Sequence, residues 1–359
     1  MIHLQYDLFR RLWFGSLLAY NPRIKGGMVT QTTQRILVTG AGGQIGSELT
    51  LVLRDRYGGD AVVASDIHEP MTPALQRTGP FEIVDVLDAE RLHAMIDQYK
   101  IDTVYHMAAI LSATGEENPQ LAWKVNIHGL TNVLEAARAR ALHRVFCPSS
   151  IAVFGPETPR DLAPQETVLR PTTVYGVTKV TGELLCEYYV NRYGLDIRGL
   201  RYPGIISSET PPGGGTTDYA VDIFYQAIEH GSYTCFVRPD TVLPMMYMPD
   251  CIKATVDLMD ADFSRLSHHC DFNVAGMSFS AEELAAEIRK RIPEFECTYA
   301  PDFRQTIADS WPQRVDDRAA REEWDWTPAY DLERMTAHMI ERLRQRLGST
   351  ATRSSSSAG

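Results

Sequence analysis

The chain has 359 residues, 44% of them hydrophobic and 23% charged, and a formal net charge of −11. That is an ordinary globular composition with length enough for a large core. Its acidity excludes nucleic acid or an anionic membrane surface as the main partner, because both reward clustered positive charge. Cys147, Cys186, Cys235, Cys251, Cys270 and Cys297 form no C-x-x-C pair and no zinc-finger spacing, and His268 and His269 beside Cys270 lack further ligands in sequence. Neither disulfides nor a metal are expected.

Residues 1–33 stand apart from the rest of the chain. Arg10, Arg11, Arg23 and Lys25 face one acid, Asp7, and Leu8, Phe9, Leu12, Trp13, Leu17 and Leu18 recur at roughly helical spacing. Arginine-bearing, acid-poor, amphipathic leaders of this kind are typical mitochondrial transit peptides. The expectation is therefore a matrix protein; a start at Met28 would leave it in the cytoplasm. No apolar run reaches the roughly 18 residues that a membrane span needs.

Arg35-Ile-Leu-Val-Thr39 then reads as a strand, Gly40-Ala-Gly-Gly-Gln-Ile-Gly46 as a turn, and Ser47 to Arg54 as a helix with Leu49, Val52 and Leu53 on one face. Strand, glycine turn and helix in that order make a dinucleotide site, with the pyrophosphate on the helix N-terminus. Gly40 takes the tight turn, Gly43 admits the pyrophosphate to the backbone, and Gly46 lets the helix pack on the strand. A second strand, Ala61 to Asp66, ends in an acid 20 residues after Gly46. An acid there accepts the ribose hydroxyls and repels a 2′-phosphate, so NAD is expected over NADP. The cofactor contacts expected so far are Gly40, Gly42, Gly43, Gln44, Ile45 and Gly46 of the turn, with Ser65, Asp66 and Ile67 at the second strand end.

Further strands come at Phe81–Val86, where Asp85 and Val86 approach the adenine, and at Thr103–Ala109, where Met107, Ala108 and Ala109 let backbone lie against the cofactor. Arg144–Ser150 is another run, ending in hydroxyls, and helical stretches such as Ala89–Tyr99 and Leu130–Ala139 fall between the strands. Strand–helix alternation predicts an α/β fold, a doubly wound parallel Rossmann sheet with ligands at the carboxyl ends of its strands.

Tyr175 and Lys179 are four apart, on one face of a helix expected from Tyr175 to Tyr193. A phenol titrates near 10 in water, so abstracting an alcohol proton at neutral pH requires a group that stabilises the phenolate; a lysine one turn away does this. Ser150, at the end of its strand, donates to the substrate oxygen. Leu184, Leu185, Tyr188 and Tyr189 lie on the side of this helix away from Lys179, an apolar face that a homodimer would bury.

These motifs, in this order, resemble the extended short-chain dehydrogenase/reductase family from about Arg35 to about Leu347. The likeness adds His106-Met-Ala-Ala109, Asn126 in Val-Asn-Ile-His-Gly129, Ser149-Ser-Ile-Ala-Val-Phe-Gly155 and Arg201-Tyr-Pro-Gly204. It implies that Asn126 supports the active-site network and that Tyr202, Pro203 and Ile205 border the nicotinamide. Three later stretches resemble the branch of the family that oxidises L-threonine. They are Arg201–Ser207 with Pro212-Gly-Gly-Gly-Thr-Thr-Asp-Tyr-Ala220, then Leu243–Cys251, and last Ser310-Trp-Pro with Asp316–Arg321 and Trp324-Asp-Trp326.

The resemblance implies that NAD⁺ oxidises the L-threonine β-hydroxyl, with Tyr175 as base, Ser150 orienting the hydroxyl and Lys179 tuning Tyr175. Ser112, Ser150, Tyr175, Gly215, Thr216, Thr217 and Trp311 are expected around the substrate, the loop glycines offering backbone N–H groups to its carboxylate. Between Ser207 and Met248, Arg238 is the only Lys or Arg, which suits a small amino acid better than the diphosphate of a nucleotide sugar. A nucleotide-sugar epimerase or dehydratase, and an NAD-sensing regulator without turnover, are the alternatives. The expected parts are the leader 1–33, an NAD-binding part 34–205, a mainly substrate-binding part 206–347 with some return to the first sheet, and a disordered tail 348–359.

Overall fold

The computed structural model describes residues 34–70, 72–211, 213 and 215–356, with side chains of the last helix described to residue 347. The expected targeting segment, residues 1–33, lies outside the described residues.

The first part alternates as expected. β1 (Ile36–Thr39), α1 (Gln44–Tyr57), β2 (Val62–Asp66), α2 (Pro73–Arg77), β3 (Phe81–Ile83), α3 (Ala89–Tyr99) and β4 (Thr103–His106) succeed one another. After β4 come α4 (Ser112–Glu117), α5 (Pro119–Trp123), a π-helical stretch (Lys124–Gly129), α6 (Leu130–Arg140) and β5 (Arg144–Phe146). Asp88 starts α3 by accepting the Arg91 N–H, as an N-cap acid does. With β7 (Ile197–Arg198) the strands form one sheet in the order β3-β2-β1-β4-β5-β7, every neighbouring pair parallel. Parallel strands covered by helices are buried on both faces, and β1 and β4 are buried along their whole length. Leu92 and Ile96 of α3 and Val133, Leu134 and Ala137 of α6 pack with Leu37, Val104 and Val145 into one core.

The run Arg144–Ser150, read as one strand, divides. β5 ends at Phe146, and Ser149–Ser150 form β6 in another sheet. Pro148 has no N–H to give a ladder, so pairing breaks there. The next helix is α7 (Val174–Tyr193), capped by the Thr173 hydroxyl on Gly176 N. Beyond β7 come β8 (Leu200–Tyr202), β9 (Gly204–Ile206), α8 (Tyr219–Glu229), β10 (Ser232–Cys235), β11 (Val242–Tyr247) and α9 (Met248–Asp260). The chain continues through β12 (Phe272–Asn273), β13 (Met277–Ser280), α10 (Ala281–Arg289), β14 (Glu296–Tyr299), α11 (Arg304–Ser310), α12 (Arg318–Trp324) and α13 (Leu332–Ser356). Three small sheets result, β12-β8-β6, β13-β11-β9 and β10-β14. Ile151, Val153 and Phe154 pack with Tyr219, Phe224, Leu243, Phe279 and Met339 in a second core. The two cores therefore interleave in sequence rather than meeting at residue 205.

Two expectations need correction. α13 continues to Ser356, past the point where a disordered tail was expected, because extending an existing helix adds a hydrogen bond per residue without a new nucleus. On α7, Leu184 and Tyr188 are exposed as expected, but Tyr189 is buried in the first core with its hydroxyl bonded to Glu135. Leu185 and Tyr189, one turn apart, face inward against the first core, leaving Val177, Leu184, Tyr188 and Tyr193 as the apolar surface.

Candidate active site

The site begins where β1 turns into α1. Gly40 has φ +67°, and a Cβ there would lie 2.5 Å from the Ala108 nitrogen at the end of β4, so only glycine fits. Gly46 departs from its expected role: a Cβ would lie 2.2 Å from the Gly40 carbonyl oxygen, so its bare Cα makes room for the turn itself. Gly43 is the N-cap of α1 and brings no side-chain cap, which leaves the first N–H groups of the helix to an incoming anion. The Asp66 carboxylate accepts the Gly42 N–H on Oδ2 at 2.9 Å and the Ile67 and His68 N–H groups on Oδ1 at 2.8 and 3.4 Å, so Oδ2 keeps a lone pair for a ribose hydroxyl. An uncapped helix N-terminus, a glycine backbone and an acid at the end of β2 fit NAD. Ser65, Ile67, Asp85 and Val86 sit beside the carboxyl ends of β2 and β3; Ser65 and Val86 are buried, Ile67 and Asp85 exposed.

From Gly40, Gly43, Gln44, Ile45 and Gly46 a cavity of about 230 Å³ runs along the carboxyl ends of the strands. Met107, Ala109, Ser150, Tyr175, Lys179, Tyr202, Pro203 and Ile205 line its middle, and Ser112, Gly215, Thr216, Thr217 and Trp311 its far end. The structure thus brings together residues that the sequence offered separately. It adds Leu111, which belongs to no motif, and Gly204 and Asp218, which stood inside quoted motifs without an expected role of their own.

The α7 helix sets Lys179 Nζ 5.5 Å from the centre of the Tyr175 ring and lets it donate to the Pro148 carbonyl at 2.8 Å. The break at Pro148 thus has a use: a carbonyl freed from the ladder anchors the lysine. Ser150 Oγ accepts the Ala152 N–H at 3.2 Å, which leaves its proton free for a ligand. The Tyr202 hydroxyl turns away to Thr255, so only its ring faces the cavity.

Behind these groups stands a buried support. Asn126 lies in the π-helical stretch, a distortion common at functional sites. It accepts the Ile110 N–H at 2.8 Å and donates to the Ile110 carbonyl and to Thr178 Oγ1, both at 3.0 Å. Ala108 and Asn126 line a second cavity, of about 20 Å³, with His106, Glu183 and Cys147, Cys186 and Cys270. His106 is held 2.9 Å from Thr39 Oγ1, and burial together with the Lys179 charge pulls its imidazole down to about 3. Glu183 bonds to the Ser149 hydroxyl and pairs with Arg201 through contacts of 2.9 and 2.8 Å; burial pushes its carboxyl up against the pull of Arg201. Sequence reasoning missed His106 and Glu183 as parts of the site. Glu183 had a signal, standing one turn beyond Lys179 on the Tyr175 face.

The glycine loop differs from expectation. Gly213 and Gly215 donate their N–H groups to Asp218 at 2.6 and 2.8 Å rather than to the cavity, because an acceptor-only carboxylate five and three residues on folds the loop onto itself. Pro212 and Gly214 lie outside the described residues.

The model of the NAD dependent epimerase/dehydratase family matches residues 36–275. An uncharacterized epimerase/dehydratase of Staphylococcus haemolyticus is 49% identical over 314 residues, which are 87% of this chain and 98% of the relative. Among solved structures, the holo form of a GalE-like L-threonine dehydrogenase from Cupriavidus necator superposes with a TM-score of 0.84 at 50% identity, over 86% of this chain and 99% of that one. An L-threonine 3-dehydrogenase from a metagenome, described as monomeric, gives 0.83 at 51% identity over 86% and 99%.

Proposed function

This chain belongs to the NAD-dependent epimerase/dehydratase family, and from that membership we propose that it is an L-threonine 3-dehydrogenase, converting L-threonine and NAD⁺ to L-2-amino-3-oxobutanoate, NADH and a proton. The observation that carries the reading is the far end of the cavity. It carries the hydroxyls of Ser112, Thr216 and Thr217, with Ser150 next to it, and among the described residues the cavity wall holds one cation, Lys179, and one acid, Asp218. A nucleotide sugar would need several basic groups for its diphosphate, whereas an amino acid needs hydroxyls and one acid for its ammonium. The solved relatives at about half identity carry the same activity in their descriptions.

When bound, NAD⁺ supplies the acceptor for the hydride that leaves the threonine β-carbon. The protein's own groups do the rest. Gly40 to Gly46 and Asp66 hold the adenosine diphosphate end, and Lys179 holds the nicotinamide ribose. Ser150 donates to the β-oxygen and fixes it near Tyr175, whose phenol oxygen removes the hydroxyl proton. The Lys179 ammonium, anchored by Pro148, stabilises the phenolate that this requires. Trp311, 5% exposed, closes the far wall. NADH absorbance with L-threonine, other amino acids and UDP-glucose tests the reading; NAD⁺-linked turnover of UDP-glucose without turnover of L-threonine would overturn it.

Two further elements belong to the reading. We propose a homodimer through α7, because Val177, Leu184, Tyr188 and Tyr193 leave an apolar strip that a soluble monomer seldom shows. The metagenomic relative described as monomeric makes light scattering the deciding measurement: one chain is 40.3 kDa, and that mass at micromolar concentration removes the dimer. The arginine-rich leader supports mitochondrial targeting, which a fluorescent fusion of residues 1–33 that stays cytosolic would refute. Among the described residues, no helix is long and apolar enough to cross a membrane.

A further inference from the structure

Glu48 lies just past the glycine turn but touches neither the pyrophosphate site nor Tyr175. It is 7% exposed, and the fully buried Ser207 Oγ lies 2.6 Å from its Oε1. The two residues are 159 apart in sequence. The same Ser207 oxygen accepts the N–H groups of Glu209 at 3.0 Å and Thr210 at 3.1 Å. The first turn of the segment 207–218 is therefore built around one hydroxyl, and that hydroxyl donates its proton to Glu48. The remaining ties on this turn come from β11 and α13. Tyr247 reaches Ser208 Oγ at 3.5 Å, Arg342 bonds Glu209 at 2.7 Å, and Arg346 donates to the Ser208 carbonyl. The segment then leads to Thr216 and Thr217 at the far end of the cavity.

Burial pushes the Glu48 carboxyl up to about 8, with Glu209 adding to the push and Ser207, Arg346 and Arg342 opposing it; Tyr247 and Cys251 also face it. A carboxyl that is neutral near pH 7 needs no counter-charge, so a single hydroxyl partner suffices to hold it in a buried place.

We propose that Glu48 is a positioning residue for the substrate side: through Ser207 it fixes the segment 207–218 to α1, the helix that receives the cofactor, and so places Thr216 and Thr217 against a substrate held at Tyr175. This rests on the L-threonine reading. Glu48→Ala should raise KM for L-threonine about tenfold, the usual scale for a lost buried hydrogen bond with an orphaned partner, with kcat falling much less. The Kd for NAD⁺, read by quenching of tryptophan fluorescence, should stay within about twofold, because Glu48 lies a turn away from the anion site. Glu48→Gln keeps an acceptor for Ser207 and should restore KM; Ser207→Ala, which also strips the Glu209 and Thr210 N–H groups of their acceptor, should raise KM at least as much as Glu48→Ala, and the double variant should add little to Ser207→Ala.

An unchanged KM in Glu48→Ala, a Glu48→Gln no better than Glu48→Ala, or NAD⁺ affinity falling in step with KM would each overturn the assignment. A wild type that turns over no L-threonine sinks the substrate reading instead. The tie is then read by hydrogen exchange of the 207–218 amides, faster in a folded Glu48→Ala if the tie exists and unchanged if it does not.

Discussion

The cofactor side and the substrate side of the cavity are built by different means. Gly40 to Gly46 and Asp66 come from one short stretch of chain, and they act through backbone N–H groups, one left-handed glycine and one carboxylate. The substrate side gathers Ser112, Ser150, Thr216, Thr217 and Trp311 from segments up to 199 residues apart. Its position depends on side-chain ties such as Glu48–Ser207 and Arg201–Glu183. Backbone geometry is written locally, in glycine spacing. A wall held by side chains depends on the rest of the fold, and one substitution far from the cavity can move it.

Changes where the two sides meet should cost most. Tyr175→Phe removes the phenol oxygen and should lower turnover by about 10²–10⁴-fold, with NAD⁺ binding within about twofold. Steady-state NADH formation and an NAD⁺ titration check both; activity above roughly one per cent of wild type would remove Tyr175 from the role of base.

The next largest effect should fall on the ties. Arg201→Leu leaves Glu183 buried beside Ser149 without its cation, and should destabilise the fold by about 3–5 kcal/mol in denaturant unfolding. A loss below about 1 kcal/mol would mean that the wall stands without the pair.

On the cofactor side, a single charge should govern choice rather than stability. Replacing Asp66 by Ala, with Ile67→Arg, should shift the NAD⁺ to NADP⁺ preference by at least about tenfold, while the loss of the acceptor for the Gly42 and Ile67 N–H groups lowers stability by only about 1 kcal/mol. A wild type that uses both cofactors equally would show that this strand end does not discriminate.

The smallest effects separate the two sides by pH. His106, behind the cofactor side, is held at about 3 against an unfolded value of 6.5, so the stability it contributes is lost as pH falls from about 6.5 toward 3. Glu48, on the substrate tie, is held at about 8 against 4.5, so its contribution is full below 4.5 and lost as pH rises toward 8. Unfolding measured from pH 4 to 9 should show His106→Gln flattening the acid limb and Glu48→Gln the alkaline limb, by about 1–3 kcal/mol each. The same limb flattened by both variants would mean that the two groups do not report on separate sides.

What the sequence determined by itself is the part whose physics is short-ranged. The glycine spacing, the acid ending β2, the four-residue step from Tyr175 to Lys179 and the starts of the β-branched runs each act within a turn or a strand; they fall on β1, β2, α7 and the strands where they were read, although the runs from Phe81 and Thr103 end as strands at Ile83 and His106. The tertiary structure decided what those local rules leave open. Pro148 split a run that reads as one strand, and Asp218 took the loop N–H groups expected for a ligand. Ser207 drew a hydrogen bond to a glutamate 159 residues away. Cys147, Cys186 and Cys270, scattered in sequence, line one small cavity behind Lys179. Each of these depends on which distant groups share a buried space once the two cores close. Residue spacing carries no record of that, because a buried polar group takes whichever partner the packed chain brings within reach.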